Sequence, residues 1–160
     1  MDVQSQVLSP GRRRLVVAIA TMFGAGYSPV APGTVGTLFT VPLAYGLGLL
    51  GRPVFWAATI AVIALAIWAA SQAEHVFLEH DSSRIVVDEA AGYLVAVSVA
   101  PDNVLHLAPA FVLFRAFDIL KPAPIGAIDR RMGGGVGVVL DDVVAGAYAA
   151  LLLLLLDRIA

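Results

Sequence analysis

Long apolar runs make up most of the chain, and formal charges interrupt them only at wide intervals. After Arg12–Arg14 the next charged residue is Arg52, and the one after it is Glu74. The uncharged runs Val35–Gly51 and Pro53–Ala70 contain 17 and 18 residues, near the lower limit for a helix that crosses a bilayer. This pattern predicts two to four helices that cross a membrane or are embedded in it. A very apolar soluble helical domain is the alternative.

Glycine, proline and short polar turns divide the chain into a series of predicted helices. Their approximate bounds are 15–23, 35–50, 53–80, 86–100, 101–121 and 140–157. The stretches 24–36 and 133–137 are predicted loops, and the valine-rich runs 85–87 and 136–140 are also compatible with short strands. We therefore predict an all-α, membrane-embedded, multihelical bundle with short Gly/Pro-rich functional loops. Residues 1–14 are expected to form a flexible N-terminal segment and residues 15–160 a single domain.

Composition agrees with this pattern and excludes several classes of protein. The chain is 59% hydrophobic and 14% charged, with a mean hydropathy of +0.88, so it is too apolar for a disordered protein. Ten basic residues against twelve acidic ones leave no positive surface for nucleic acid. The absence of cysteine excludes disulfides, thiolate metal sites and cysteine nucleophiles.

The basic residues Arg12–Arg14 are expected to keep the N-terminus in the cytoplasm. A signal peptide is the alternative interpretation. Its candidate cleavage site, Val30-Ala31, is followed by Pro32, which disfavours cleavage there.

Five of the twelve acidic residues fall in three clusters within apolar sequence: Asp88-Glu89, Asp118 and Asp141-Asp142. Carboxylates in or beside membrane helices are costly and usually functional. A group of carboxylates without cysteine or clustered histidine suits a hard cation such as Mg²⁺, and His75, His80 and His106 are expected to pack or lie at the interface. Capping of helix N-termini is the alternative for Asp88, Asp141 and Asp142.

Each acid pair is followed by a glycine one helical turn later, Gly92 after Asp88 and Gly146 after Asp142. Small residues at these positions let two helices approach closely, which would bring the pairs together. Adjacent residues on a helix project about 100° apart, so one acid of each pair is expected to face the shared centre.

Lys121 is the only lysine, and it follows Arg115 and Asp118 at helical spacing, so the three side chains are expected to share a face. They suit either a phosphate bound beside a metal ion or a set of internal ion pairs. The segment 26–37, rich in glycine, proline and hydroxyl groups, precedes a predicted helix with Thr34 as a candidate N-cap. Exposed N–H groups at such a helix start favour an anion, so a phosphate cradle is possible on spacing alone.

Four segments taken in order, 26–37, 85–92, 114–125 and 134–146, resemble the motifs of the phosphatidylglycerophosphatase A family. The resemblance extends over about residues 20–155. It implies a Mg²⁺-dependent, multihelical phosphatase of the bacterial cytoplasmic (inner) membrane, with its active site facing the cytoplasm. Such enzymes convert phosphatidylglycerophosphate to phosphatidylglycerol and phosphate. The implied partners are the phospholipid substrate and the membrane, without nucleic acid.

The resemblance also implies roles for individual residues. The metal site would comprise Asp88, Glu89, Asp141 and Asp142, together with Asp118; the substrate-binding residues would be Ser28, Thr34, Thr37, Arg115 and Lys121; the catalytic residues would be Asp118, Lys121 and Asp142. The nucleophile is either water or a carboxylate, of Asp118 or Asp142. Arg130 and Arg131, with Arg84, are expected either near anionic head groups or in a solvated rim.

Two other functions are compatible with the sequence. One is a phosphatase of another lipid phosphomonoester, such as phosphatidic acid. The other is a small non-enzymatic membrane carrier or scaffold in which the buried acids and Lys121 form ion pairs.

Overall fold

The computed structural model describes residues 8–79 and 82–159. Over these residues the chain forms seven α-helices: α1 Pro10–Ala20, α2 Pro32–Leu49, α3 Arg52–Phe77, α4 Val87–Val97, α5 Val104–Leu120, α6 Ile125–Arg131 and α7 Gly134–Leu156. A short 3₁₀ turn, Ala25–Tyr27, lies between α1 and α2. The described residues contain no strand. The all-α prediction is therefore confirmed, and the strand interpretation of runs 85–87 and 136–140 is wrong.

Most helix boundaries follow from local chemistry. Proline occupies the first turn of both α2 and α3, where its missing N–H has no partner to lose. Asn103 caps α5, because its side chain accepts a hydrogen bond of 3.0 Å from Leu105 N. Arg52 crosses to the far end of α4 and donates to the carbonyl oxygens of Val99 and Ser98 at 3.2 and 3.3 Å.

Two helices begin earlier than predicted. α1 begins at Pro10 rather than at Leu15, so residues 10–14 are helical rather than flexible, while residues 1–7 lie outside the described ranges. α7 begins at Gly134, so most of the predicted glycine-rich loop 133–137 is helical. A Cβ added at Gly135 would lie 2.3 Å from the carbonyl oxygen of Ile67. Glycine is therefore required there by the contact of α7 with α3 and not by flexibility.

α7 lies at the centre of the bundle, where it packs against α3, α4, α5 and α6. Its contact with α4 is the closest, because a Cβ added at Gly146 would lie 2.1 Å from the carbonyl oxygen of Gly92. The predicted glycine crossing is therefore confirmed. Against the other face of the bundle, α1 contributes Val16 to a core of small side chains on α3: Ala66, Ala69, Ala70 and Ala73. Small residues bring the helices close enough for backbone packing, as in membrane bundles.

Among the described helices, α3 and α7 are long and apolar enough to cross a membrane. α3 carries large apolar side chains that are not buried, since Trp56 is 42% and Ile60 is 64% exposed. Exposed apolar surface of this kind marks a contact with a membrane or another protein, so a membrane-embedded bundle fits the fold. The predicted span Pro53–Ala70 lies within α3. The other predicted span, Val35–Gly51, falls mainly on α2, which is not one of these two helices.

Candidate functional site

A cavity of about 310 Å³ opens where the start of α2, the start of α4, the end of α5 and the first half of α7 meet. Seven charged residues line it: Asp88, Glu89, Arg115, Asp118, Lys121, Asp141 and Asp142. The uncharged wall consists of Ala31, Pro32, Gly33, Ser82, Ser83, Ile85 and Val138. The structure thus brings all three predicted acid clusters to one pocket.

Both members of each acid pair face this pocket. Asp88, Glu89, Asp141 and Asp142 are all buried and all line the cavity, so the expectation that one acid of each pair would face the centre is wrong. The pocket lies at the crossing of α4 and α7 and receives side chains over a wide arc of each helix. Helix capping is also excluded for Asp141 and Asp142, because α7 begins at Gly134, well before them.

Three carboxylates form a group of the size that a metal ion requires. Oxygen atoms of Asp118, Asp141 and Asp142 lie within 4.8 Å of one another. Asp141 Oδ1 and Asp142 Oδ2 are buried and make no hydrogen bond. Buried carboxylate oxygens normally have a partner, and oxygen ligands are those that Mg²⁺ prefers. The donor set therefore fits a hard divalent cation.

Arg115 joins this group to the acid pair on α4. Its Nη1 donates to Asp118 Oδ2 at 2.7 Å and also contacts Glu89 Oε2. The Thr37 hydroxyl shares its single proton between this Glu89 oxygen at 3.1 Å and the Gly33 carbonyl oxygen at 2.9 Å. Burial, reinforced by the Asp118 carboxylate, raises the pKa of Glu89 to about 7, while Arg115 opposes this shift. Glu89 thus has two protein partners, whereas Asp141 and Asp142 each keep one oxygen without a hydrogen bond.

Gly33 makes room for the contact between Arg115 and Glu89. A Cβ added at Gly33 would lie 1.8 Å from Glu89 Oε1 and 3.2 Å from Arg115 Nη2. The backbone of α2 therefore forms the wall directly above this ion pair.

Lys121 lies between two carboxylates on the other side of the pocket. Its Nζ donates to Asp129 Oδ1 at 2.5 Å and to Asp141 Oδ2 at 2.9 Å. Burial opposes the charge on the ammonium, but these hydrogen bonds outweigh it and raise the pKa of Lys121 above its usual value. Lys121 has a left-handed backbone conformation at the end of α5, which turns the chain toward α6. The ammonium is therefore permanently charged at the edge of the acidic group.

The sequence pattern of the phosphatidylglycerophosphatase A family matches residues 18–157. The chain belongs to this family. Two proteins named phosphatidylglycerophosphatase A, from Escherichia coli (strain K12) and Haemophilus influenzae, are 35% identical over 133 residues and 36% identical over 135 residues. These matches cover 82% and 83% of this chain, and 77% and 83% of the relatives.

A third relative carries a different name. The Bacteroides thetaiotaomicron protein named "Putative phosphatidylinositol-3-phosphatase" is 41% identical over 147 residues, which cover 87% of this chain and 91% of the relative. No solved structure matches the chain. As a member of the phosphatidylglycerophosphatase A family, the chain is a phosphoric monoester hydrolase and a membrane protein.

The hydroxyl residues singled out in the sequence of this family member lie outside the pocket wall. Ser28 Oγ donates to the Val30 carbonyl oxygen at 2.8 Å. Thr34 lies within the first turn of α2, whose N-cap is Ala31, so the expected Thr34 cap is wrong. Thr37 reaches the site indirectly, through Glu89.

The sequence did not indicate Asp129, a charged residue that does not line the pocket but contacts it through Lys121. It lies on α6, a helix that was not predicted, and its carboxylate contacts the predicted site residue Lys121. The one available signal was the Pro122-Ala-Pro124 turn, which reverses the chain after Lys121. Of the three histidines, His106 contacts Asp157 at 2.9 Å near the end of α7, away from the pocket, while His80 lies outside the described residues.

Proposed function

We propose that this family member is a Mg²⁺-dependent phosphatase that hydrolyses phosphatidylglycerophosphate to phosphatidylglycerol and phosphate. The observation that carries the proposal is the grouping of Asp118, Asp141 and Asp142 within 4.8 Å, with two cationic side chains beside it. The family to which the chain belongs supports the substrate class, and the names of two relatives support the particular lipid.

Asp118, Asp141 and Asp142 would hold the metal ion, with Asp88 nearby in the same pocket. A bound Mg²⁺ would neutralise charge on the phosphoryl oxygens. Arg115 and Lys121 add positive charge that stabilises the same oxygens as negative charge shifts during the reaction. Lys121 uses two of its N–H groups on Asp129 and Asp141, so its third N–H is available to a phosphate.

The reaction breaks the bond between phosphorus and the terminal glycerol oxygen of the lipid. In one route a pocket carboxylate accepts a proton from water while the water oxygen bonds to phosphorus in line with the departing oxygen. In the other, Asp118 or Asp142 attacks phosphorus, and water then hydrolyses the acyl phosphate. In the first route the proton taken from water passes from the pocket carboxylate to the departing glycerol oxygen. In the second a neighbouring protonated carboxyl group supplies that proton and regains one from the water that hydrolyses the acyl phosphate. Both routes release inorganic phosphate.

Phosphate release by the detergent-purified protein tests this proposal. Release from phosphatidylglycerophosphate is expected with Mg²⁺ and not with EDTA, and it should fall at least a hundredfold in Asp142→Asn and in Lys121→Ala. Asp102→Asn removes an exposed acid outside the pocket and should retain full activity. Folded, metal-supplied protein that releases no phosphate from any lipid phosphomonoester would contradict the proposal and favour a carrier or scaffold.

The 41% identical relative supports a second candidate substrate, because its name specifies a phosphoinositide. The same assay should therefore compare phosphatidylglycerophosphate with phosphatidylinositol 3-phosphate and phosphatidic acid at equal surface concentration. A kcat/KM at least tenfold higher for phosphatidylglycerophosphate is expected. A preference for either other lipid would keep the chemistry and replace the substrate.

We further propose that the protein lies in the bacterial cytoplasmic membrane with its pocket facing the cytoplasm. The basic residues Arg130 and Arg131 end α6 on the pocket side, and cytoplasmic flanks are enriched in such residues. The chain has no cysteine, so single cysteines report sidedness without background. In intact cells, Leu50→Cys between α2 and α3 should react with a membrane-impermeant maleimide, whereas Arg131→Cys should react only after permeabilisation. The reverse labelling pattern would show that the pocket faces away from the cytoplasm.

A further inference from the structure

The contacts on either side of Lys121 form a continuous chain of alternating charges. Asp129 Oδ1 lies 2.5 Å from Lys121 Nζ, and Lys121 Nζ lies 2.9 Å from Asp141 Oδ2. The other Asp141 oxygen, Oδ1, is buried and makes no hydrogen bond. Lys121 therefore binds one oxygen of the Asp141 carboxylate and leaves the other without a protein partner.

From this arrangement we infer that Asp129 is a positioning residue for the metal site and acts through Lys121. The inference rests on the proposed function, in which Asp141 is a metal ligand. Asp129 holds the ammonium on Asp141 Oδ2, and this leaves the buried Oδ1 free of the ammonium and available to a metal ion. Residues that orient a metal ligand in this way commonly change metal affinity by about 10- to 100-fold when they are replaced.

The burial of the residues explains why Asp129 is needed. The Lys121 and Asp129 side chains are 32% and 29% exposed, whereas that of Asp141 is only 7% exposed. Without the Asp129 charge, the nearest partner of the ammonium is the buried Asp141 carboxylate. The ammonium can then move across both Asp141 oxygens, where it would compete with a divalent cation for the same negative charge.

Direct metal binding tests the inference. Mn²⁺ is titrated into the detergent-purified full chain and its free fraction is measured by electron paramagnetic resonance, with Mg²⁺ added as competitor. Asp129→Asn, which keeps the size of the side chain, is expected to weaken Mn²⁺ binding at least tenfold. Asp129→Glu, which keeps the charge, is expected to restore binding to within threefold of wild type. Asp102→Asn serves as a control for the loss of one exposed negative charge and should leave binding unchanged.

A double-mutant cycle separates positioning from a simple charge effect. If Asp129 acts through Lys121, Asp129→Asn should change Mn²⁺ affinity less than twofold in a Lys121→Met background. A tenfold loss that persists in that background would overturn the inference, as would unchanged binding in folded Asp129→Asn. If Asp129→Asn does not fold, two comparisons remain, Asp129→Glu with wild type and the double variant with Lys121→Met. Mn²⁺ binding that is tenfold weaker in Asp129→Glu than in wild type, or in the double variant than in Lys121→Met, would also overturn the inference.

Failure of this inference can be distinguished from failure of the proposed function. Wild-type protein that binds Mn²⁺ and releases phosphate, with no effect of Asp129→Asn, contradicts the inference alone. Wild-type protein that binds neither cation contradicts both.

Discussion

Replacement of Gly146 by alanine should separate the two halves of the acidic pocket. The added Cβ would lie 2.1 Å from the carbonyl oxygen of Gly92 and 3.1 Å from Val95 Cβ. Ordinary contacts begin near 3.4 Å, so α4 and α7 must move apart by about 1 Å. The obstructing atom belongs to the backbone of α4, and rotation of a side chain cannot relieve the clash.

The magnitude of the effect follows from this displacement. Overpacking of a close contact costs about 1–3 kcal/mol, which lowers the unfolding midpoint by roughly 2–12 °C for a chain of this size. A misplacement of about 1 Å between catalytic groups can cost about a hundredfold in rate. We therefore expect Gly146→Ala to reduce kcat for phosphate release by about a hundredfold, even in the fraction of the protein that is folded.

Phosphate release and thermal unfolding in detergent measure the two effects, and Gly46 on α2 provides a matched control. A Cβ added at Gly46 would meet no atom within 4 Å, so Gly46→Ala should retain activity and gain about 0.5–1 kcal/mol from the better helix propensity of alanine. If Gly146→Ala kept its activity within threefold and its unfolding midpoint within 1 °C, the close approach of α4 and α7 would not define the pocket.

Three further replacements give separate expectations. Gly33→Ala introduces a Cβ 1.8 Å from Glu89 Oε1. It should lower kcat/KM at least tenfold, because it displaces the ion pair of Glu89 and Arg115. Activity equal to that of Gly46→Ala would contradict this expectation. Thr37→Val removes the hydroxyl that is shared by Glu89 and the Gly33 carbonyl oxygen. The loss of one hydrogen bond is worth about 1 kcal/mol, so kcat/KM should fall about fivefold without a change in helix content by circular dichroism. A change below twofold would show that Glu89 is positioned by Arg115 alone. Arg52→Gln removes two hydrogen bonds to carbonyl groups at the end of α4 and should lower the unfolding midpoint by a few degrees. Because the pocket lies at the opposite end of α4, kcat should stay at the wild-type value. A loss of kcat above threefold would contradict that separation.

The features of this fold that could be predicted from the sequence are those whose physical cause is local. The break at Gly51-Arg52-Pro53 was predicted because proline and glycine act on their own backbone. The glycines at 92 and 146 predicted the crossing of α4 and α7, since small residues let two helix backbones approach closely. The carboxylates that share the pocket were recognisable because charge is costly in apolar sequence.

Other features depend on contacts between distant residues. The glycine-rich segment 133–137 indicates a flexible loop when taken alone, but the contact of Gly135 with Ile67 on α3 makes most of the segment the start of a helix. Helix α6 has seven residues, too few for a hydrophobic period to be recognised. Asp129 stands beside Arg130 and Arg131, a pattern typical of a solvated turn. Only the reversal of the chain after Lys121 places it at the pocket.

The backbone contact between Gly92 and Gly146 also bears on how the protein responds to bilayer thickness. A bilayer that is thinner or thicker than the apolar belt of a bundle tilts its helices or deforms around them. Because α4 and α7 touch backbone to backbone at these glycines, we expect them to tilt as one unit, with the spacing of their acid pairs unchanged. Asp118 and Lys121 belong to the end of α5, and their distance from the acid pairs depends on larger side chains such as Phe114. Variation in membrane thickness would therefore act first on the position of α5, and the carboxylates of α4 and α7 would keep their geometry in membranes of different lipid composition.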